Sequence, residues 1–263
     1  MSSTIDFDEK AARAVEAMYL TPDVAGQRLR VIDMLQPRPG ERILDIGVGP
    51  GLLAHELARL VGEGGYVAGL DAAPAMLTMA RTRLAALPQA ECVEGDAAKL
   101  PFDDGVFDAA VATQVYEYVA PMTRALSELR RVLRPGGRVL ILDTDWRSIV
   151  WHSSDKALME RVLTCWDGHL ADPHLPATLG VQLSRAGFAV SRVEVLTMLA
   201  SHWQPVSYAA GIMRSIKAYA EANGARYGLA PGEVQAWYDD QLHLAERGEF
   251  FFSLNRYLFA ATR

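Results

Sequence analysis

The chain is 263 residues long, half of them apolar and 22% charged, with a formal net charge of −6 and a pI near 5.5. That acidic balance argues against a protein built to grip nucleic acid, which needs a basic face, so no nucleic-acid partner is expected. Two cysteines, Cys92 and Cys165, are too few for a disulfide framework and read as reduced thiols.

The opening, M-S-S-T-I-D-F-D-E-K, is polar and acidic, unlike a secretion signal. No apolar run approaches the roughly 20 residues a spanning helix needs. A soluble, cytoplasmic protein with no membrane partner is the expectation. Residues 8–19 carry Ala11, Ala14, Val15 and Met18 at helical spacing. A second helix starts at Thr21-Pro22-Asp23, with Thr suited to the cap and Pro to the first helical position. Together residues 1–40 form the leading helices.

A strand over 41–46 follows, with Ile43, Leu44 and Ile46 as the apolar run of a strand buried on both faces. Gly47, Gly49 and Gly51 come next, and Leu53, Leu57, Leu60 and Val61 then mark a helix over 50–62. Strand, glycine turn and helix bring bare backbone close to a ligand. The spacing departs from a dinucleotide fingerprint, because Leu52 occupies the last position where a small residue is wanted. The phosphate loop of ATP and GTP sites is missing too, so neither NAD nor ATP is the expected ligand.

Further units follow: strand 65–70, helix 73–86, strand 90–94, strand 106–113, helix 121–133 and strand 137–143. Such alternation implies right-handed crossovers and a parallel sheet. Beyond residue 143 lie all five tryptophans and five of the six histidines. Two helical stretches interrupt this part, one near 154–170 and one over 205–247. Asn223-Gly224 and Ala230-Pro231-Gly232 break the second into a helix pair. Strands are expected over 188–199 and 249–261. The domain division is a core over 41–143 with cap insertions over 144–187 and 200–248, all within one domain spanning 1–263. The glycine and proline breaks make the cap the mobile part, able to close over a site.

Five stretches together carry a family resemblance: Asp45-Ile-Gly47-Val-Gly49-Pro-Gly51, Val67-Ala-Gly-Leu-Asp71, Gly95-Asp96-Ala97, Phe107-Asp108 and Leu133-Arg-Pro-Gly-Gly137. In this order and spacing the chain resembles the class I S-adenosylmethionine-dependent methyltransferases. The likeness is greatest to the small-molecule branch that includes the ubiquinone and menaquinone methyltransferases. It implies an α/β fold: a Rossmann-like, doubly wound, seven-stranded sheet with an antiparallel last strand. The cofactor would be S-adenosyl-L-methionine, and the partner a small-molecule methyl acceptor.

Ligands of such sheets bind at the carboxyl ends of the strands, which gathers Asp45, Asp71, Asp96 and Gln114 on one edge. Asp71, with Ala72 beside it, can accept from both hydroxyls of a ribose. Asp96 can accept from an adenine amino group, the Ala97 N–H can donate to a ring nitrogen, and Met76 can pack on the ring. Asp45 orders the glycine turn or meets the cofactor's ammonium. Tyr19, Gln27 and Arg28, on the leading helices, are the contacts the resemblance implies for the methionine end.

Methyl transfer from a sulfonium to an O, N or C atom is an in-line displacement, in which alignment and a dry pocket do most of the work. An O or N acceptor must also lose a proton, and a base in reach helps. His152 is the leading candidate because histidine titrates near neutral pH. Asp145 and Tyr116 come next, followed by His202 and Arg256. No spacing of histidines, cysteines or carboxylates suggests a metal. The alternative function is a cofactor-binding protein of the same fold that transfers no methyl group, acting in regulation or in a cyclisation-type step.

Overall fold

The computed structural model describes residues 9–263, leaving the polar opening and the first residue of the expected leading helix outside the described residues. Two helices lead, α1 (Glu9–Tyr19) and α2 (Pro22–Leu35). The α/β part comprises β1 (Arg42–Ile46), α3 (Leu52–Val61), β2 (Tyr66–Asp71), α4 (Pro74–Leu84), β3 (Ala90–Glu94), β4 (Phe107–Thr113), α5 (Met122–Val132) and β5 (Leu133–Trp151). After it come α6 (Lys156–Asp167), α7 (Pro176–Arg185), β6 (Ala189–Ala200), α8 (Tyr208–Asn223), α9 (Pro231–Glu246) and β7 (Phe252–Thr262).

The seven strands form one sheet in the order β3-β2-β1-β4-β5-β7-β6. β1 pairs in parallel with both β2 and β4, and β7 runs antiparallel between β5 and β6. The strand order reverses between β1 and β4, which opens a crevice at their carboxyl ends. This is the Rossmann-like architecture with an antiparallel last strand.

Three apolar clusters hold the molecule together. One packs α2, α3 and α4 on a face of the sheet through Val31, Leu57 and Leu77, and another packs α5 and α7 on the opposite face through Leu126, Leu129 and Leu179. The third is richest in aromatics: Trp146, Trp166, Tyr208, Trp237 and Phe252 join α6, α8 and α9 to the far ends of β5 and β7. Burying such side chains contributes roughly 1.5–3 kcal/mol each. The breaks at Asn223-Gly224 and Ala230-Pro231 divide α8 from α9 as the sequence suggests, with a 3-10 turn at Gly224–Tyr227 between them.

Two features depart from the sequence reading. α7 lies where the sequence reading places no element, because Leu179, Val181 and Leu183 alternate rather than follow a helical spacing and Gly180 interrupts them. β5 continues eight residues beyond 143, to Trp151. Its continuation pairs with β7 across an irregularity between Asp145 and Val150, and that partner lies a hundred residues away in sequence. Among the described residues no helix is long and apolar enough to cross a membrane.

Candidate functional site

A cavity of about 770 Å³ lies at the crevice between β1 and β4, roofed by α1 and α2. Its floor is the glycine turn. Gly47 and Val48 donate their N–H groups to the Leu70 carbonyl at 2.7 and 2.9 Å, which fastens the turn to the end of β2. Gly47 has φ of +71°, and a Cβ there would stand 2.2 Å from Val115 Cγ2. No other residue fits at this point of the floor. Gly49 also lines the cavity, whereas Gly51 does not. A Cβ on Gly51 would lie 3.0 Å from Ala80 Cα, so that glycine serves the packing of α3 on α4.

Acidic groups stand at the tips of β1 and β2. Asp71 spans the crevice: its Oδ2 accepts from Gly49 N–H at 2.8 Å and its Oδ1 from Ala73 N–H at 2.9 Å. Each oxygen keeps a lone pair for a ligand hydroxyl. Burial raises the Asp71 carboxyl above its ordinary range, against these backbone hydrogen bonds. Asp45 is 1% exposed, and its Oδ2 has no partner. Burial first, then the charge of Asp71, pushes it up to about 8, with the Ala54 N–H pulling the other way. A buried carboxyl oxygen without a partner carries a desolvation cost that a cationic ligand group would relieve.

Asp96, Ala97, Ala72 and Met76 complete this half of the wall. Asp96 Oδ1 accepts from Ala98 N–H at 2.8 Å, which shapes the loop after β3. Across the cavity Gln114 has φ of +57°, unusual for a residue with a side chain. Its N–H donates to Leu142 O at 2.7 Å, and its Nε2 donates to Thr144 Oγ1 at 2.9 Å, which turns the amide oxygen away from Thr144.

The roof holds Tyr19, Gln27 and Arg28. Arg28 is already engaged, with Nε on Glu56 at 2.9 Å and Nη1 on the Tyr19 carbonyl at 3.1 Å. It therefore anchors the roof to α3. The Tyr19 phenol is pushed up to about 12, chiefly by burial and against the pull of Arg256.

Three residues expected to act on the acceptor stand elsewhere. His152 follows the end of β5, where its ring Nδ1–H donates to the Glu249 carbonyl at 2.8 Å. Asp145 lies on the continuation of β5, where its Oδ1 is 3.3 Å from His174 Nδ1 and accepts from Arg147 N–H at 3.1 Å. Tyr116 is fully buried in the main core, and burial raises its phenol. None of the three lines the cavity. The extension of β5 carries Asp145 and His152 away from the crevice. Tyr116 instead turns into the core, while its neighbours Val115 and Tyr118 face the cavity. His202 is exposed, beside Ser201 and Gln204.

Sequence reasoning missed a buried acidic pair beneath this wall. Glu117 and Asp143 are both 0% exposed. Glu117 Oε2 accepts from Thr144 N–H at 3.2 Å, and Asp143 Oδ1 from Val115 N–H at 3.0 Å. Burial pushes Glu117 up to about 7, although Arg256, the Thr144 N–H and the Trp146 indole all favour its charge. Asp143 rises well above the usual carboxylate range through burial and the nearness of Glu117. The available signal was a lone glutamate inside the aromatic run Tyr116-Glu-Tyr118.

Residues 44–141 match the family model for a methyltransferase domain. A Streptomyces fradiae protein, described as an uncharacterized 37.1 kDa protein in transposon TN4556, is 36% identical over 237 residues, which are 88% of this chain and 65% of that protein. The 2-phytyl-1,4-naphtoquinone methyltransferase of Synechococcus elongatus is 42% identical over 109 residues, 40% of this chain and 47% of its own length. Among solved structures, phosphoethanolamine N-methyltransferase 2 of Haemonchus contortus, in complex with S-adenosyl-L-methionine, shares the fold with a TM-score of 0.63. It is 20% identical, and the match covers 98% of this chain and 58% of that one. This chain thus spans less than two thirds of the length of each of the three. Residues 44–141 thus form a methyltransferase domain, and three of the five motifs, those carrying Asp45, Asp71 and Asp96, line one crevice of the sheet.

Proposed function

We propose that this protein transfers a methyl group from S-adenosylmethionine to an O, N or C atom of a small organic acceptor. The observation that carries the proposal is the bridge from Asp71 Oδ2 to the Gly49 N–H across a glycine floor that admits no side chain at Gly47. The cavity fits the cofactor on three counts. Asp71 offers a charged acceptor for ribose hydroxyls, Asp45 holds an unpartnered oxygen for a cationic group, and the bare turn lets a ligand lie on backbone. When bound, S-adenosylmethionine supplies a methyl group activated by its sulfonium.

The chain's own residues orient the ligand and keep it dry. Asp71, Asp96 and Met76 hold the nucleoside side, while Tyr19 and Gln114 hold the other end. Val24, Tyr118 and Val119 form apolar wall where an acceptor would approach, and they exclude water that would compete for the methyl group. The quinone methyltransferase among the relatives supports a small-molecule acceptor.

Calorimetry with S-adenosylhomocysteine, NAD and ATP tests the cofactor, and binding of the first alone is expected. Labelled methyl transfer into a metabolite extract then tests the reaction. Tight NAD binding with no response to S-adenosylhomocysteine would overturn the proposal.

A further inference from the structure

Arg256, on β7, is 0% exposed, yet two of its three guanidinium nitrogens, Nε and Nη2, have no hydrogen-bond partner. The third, Nη1, donates to the neutral Gln27 Oε1. The Tyr208 ring lies against the guanidinium, with its centroid 4.3 Å from Cζ. Removing a cation from water costs several kcal/mol unless it is paired, and neither an amide oxygen nor an aromatic face supplies a counter-charge. Among the described residues no carboxylate lies within ion-pair distance of it, although the buried Glu117, whose Oε1 also lacks a partner, is near enough for Arg256 to favour its charge.

The position of this cation points to a ligand. Arg256 stands opposite Thr144 in the antiparallel β5–β7 pair, so both side chains leave the same face of the sheet. Thr144 holds the wall residue Gln114, and Arg256 holds the wall residue Gln27. One side chain therefore separates the guanidinium from the cavity. Nε and Nη2 share one edge of the guanidinium, the edge that takes a carboxylate through two parallel hydrogen bonds. Arginine can only donate, so the Gln27 carbonyl must face Arg256 and its NH2 faces away.

We propose that Arg256 and Gln27 recognise a carboxylate on the methyl acceptor, which makes the acceptor a small apolar or aromatic acid; this rests on the methyltransferase reading above. The cofactor has a carboxylate of its own, but the sheet order favours the acceptor. The strand-end residues assigned to the cofactor, Asp96, Asp71, Asp45 and Gln114, follow the order β3-β2-β1-β4 across the sheet, whereas Arg256 is on β7, two strands beyond β4. Its surroundings, Tyr208 and Tyr19 with Val24 nearby, suit an apolar or aromatic body on the acid.

The test uses the full chain loaded with S-adenosylhomocysteine and titrates benzoate and phenylacetate, each against its primary amide. The expected result is at least about tenfold tighter binding of an acid than of its amide, the scale of one charge-assisted pair. In Arg256→Gln that preference should vanish while S-adenosylhomocysteine binds as before, and Arg256→Lys should recover part of it. Without ligand, the melting temperature of Arg256→Gln should stay close to that of the wild type, because the guanidinium has no ion-paired carboxylate to lose.

Acids binding no better than amides, or not at all, would overturn the proposal. So would a folded Arg256→Gln that has lost S-adenosylhomocysteine, since the carboxylate would then be the cofactor's. A large fall in melting temperature in both variants would also overturn it by making Arg256 a structural residue. A wild type that binds no S-adenosylhomocysteine would overturn the cofactor reading instead.

Discussion

The Asp71 carboxylate receives the Gly49 N–H at 2.8 Å, so the tip of β2 and the turn after β1 are locked together across the crevice. This single hydrogen bond sets both the orientation of the Asp71 carboxylate and the height of the floor beneath it.

Asp71→Ala should therefore weaken S-adenosylhomocysteine binding by about tenfold to a hundredfold, given roughly 1.5–3 kcal/mol for a hydrogen bond to a charged group. Asp108→Ala should leave binding nearly unchanged. Asp108 accepts from Arg42 N–H at 2.7 Å and pairs with Arg134 at the opposite end of the strands. Calorimetry on both variants, with folding checked by circular dichroism, decides. Equal losses would contradict the placement of Asp71 at the ligand.

Gly47→Ala should lower stability and cofactor affinity together, because the new methyl would sit 2.2 Å from Val115 Cγ2. The positive φ adds roughly 1 kcal/mol of its own. In the Gly47→Ala, Val115→Ala double variant the clash is gone and the backbone cost remains. Partial recovery in urea denaturation is expected, and no recovery would show that the turn itself had collapsed.

Stability should depend on pH through Asp45. Burial raises its folded pKa to about 8, far above the ordinary carboxylate range, so the native state holds the proton more tightly than the unfolded chain. The stabilisation is fully present below the unfolded pKa and is lost as pH rises through the folded one. Glu117, raised to about 7, acts in the same direction. Urea denaturation of the ligand-free protein should give lower stability at pH 8 than at pH 5, and Asp45→Asn should flatten that slope. A wild type that gains stability over this range would show Asp45 to be ionised in the fold.

Limited proteolysis should cut the ligand-free protein near Arg226, in the turn between α8 and α9, or at Arg247, just after α9. S-adenosylhomocysteine with a bound acceptor should protect both sites if this region closes over the cavity. Unaltered cleavage on ligand addition would make the aromatic cluster around Trp237 a fixed wall.

The sequence alone determined the sheet and the gathering of its strand-end acids at one edge. Local patterns carry that information: an apolar strand, a turn that needs positive φ at Gly47, and acids placed at strand ends. The parallel α/β rule then brings Asp45, Asp71, Asp96 and Gln114 to one edge whatever the remaining packing. Only the tertiary structure decided which side chains beyond β4 stand near the cavity. β5 runs on to Trp151 because β7 is there to pair with it, and that pairing removes Asp145 and His152 from the crevice. The meeting of Arg256 with Gln27, 229 positions apart, depends on α2 and β7 packing together, and no local periodicity encodes it. Tyr116 and Glu117 are adjacent in sequence, yet one phenol ends in the apolar core and the other side chain beneath the cavity wall. Both lie in the 3-10 turn Tyr116–Tyr118, where side-chain direction is set by what packs around it, so that division became visible only in three dimensions.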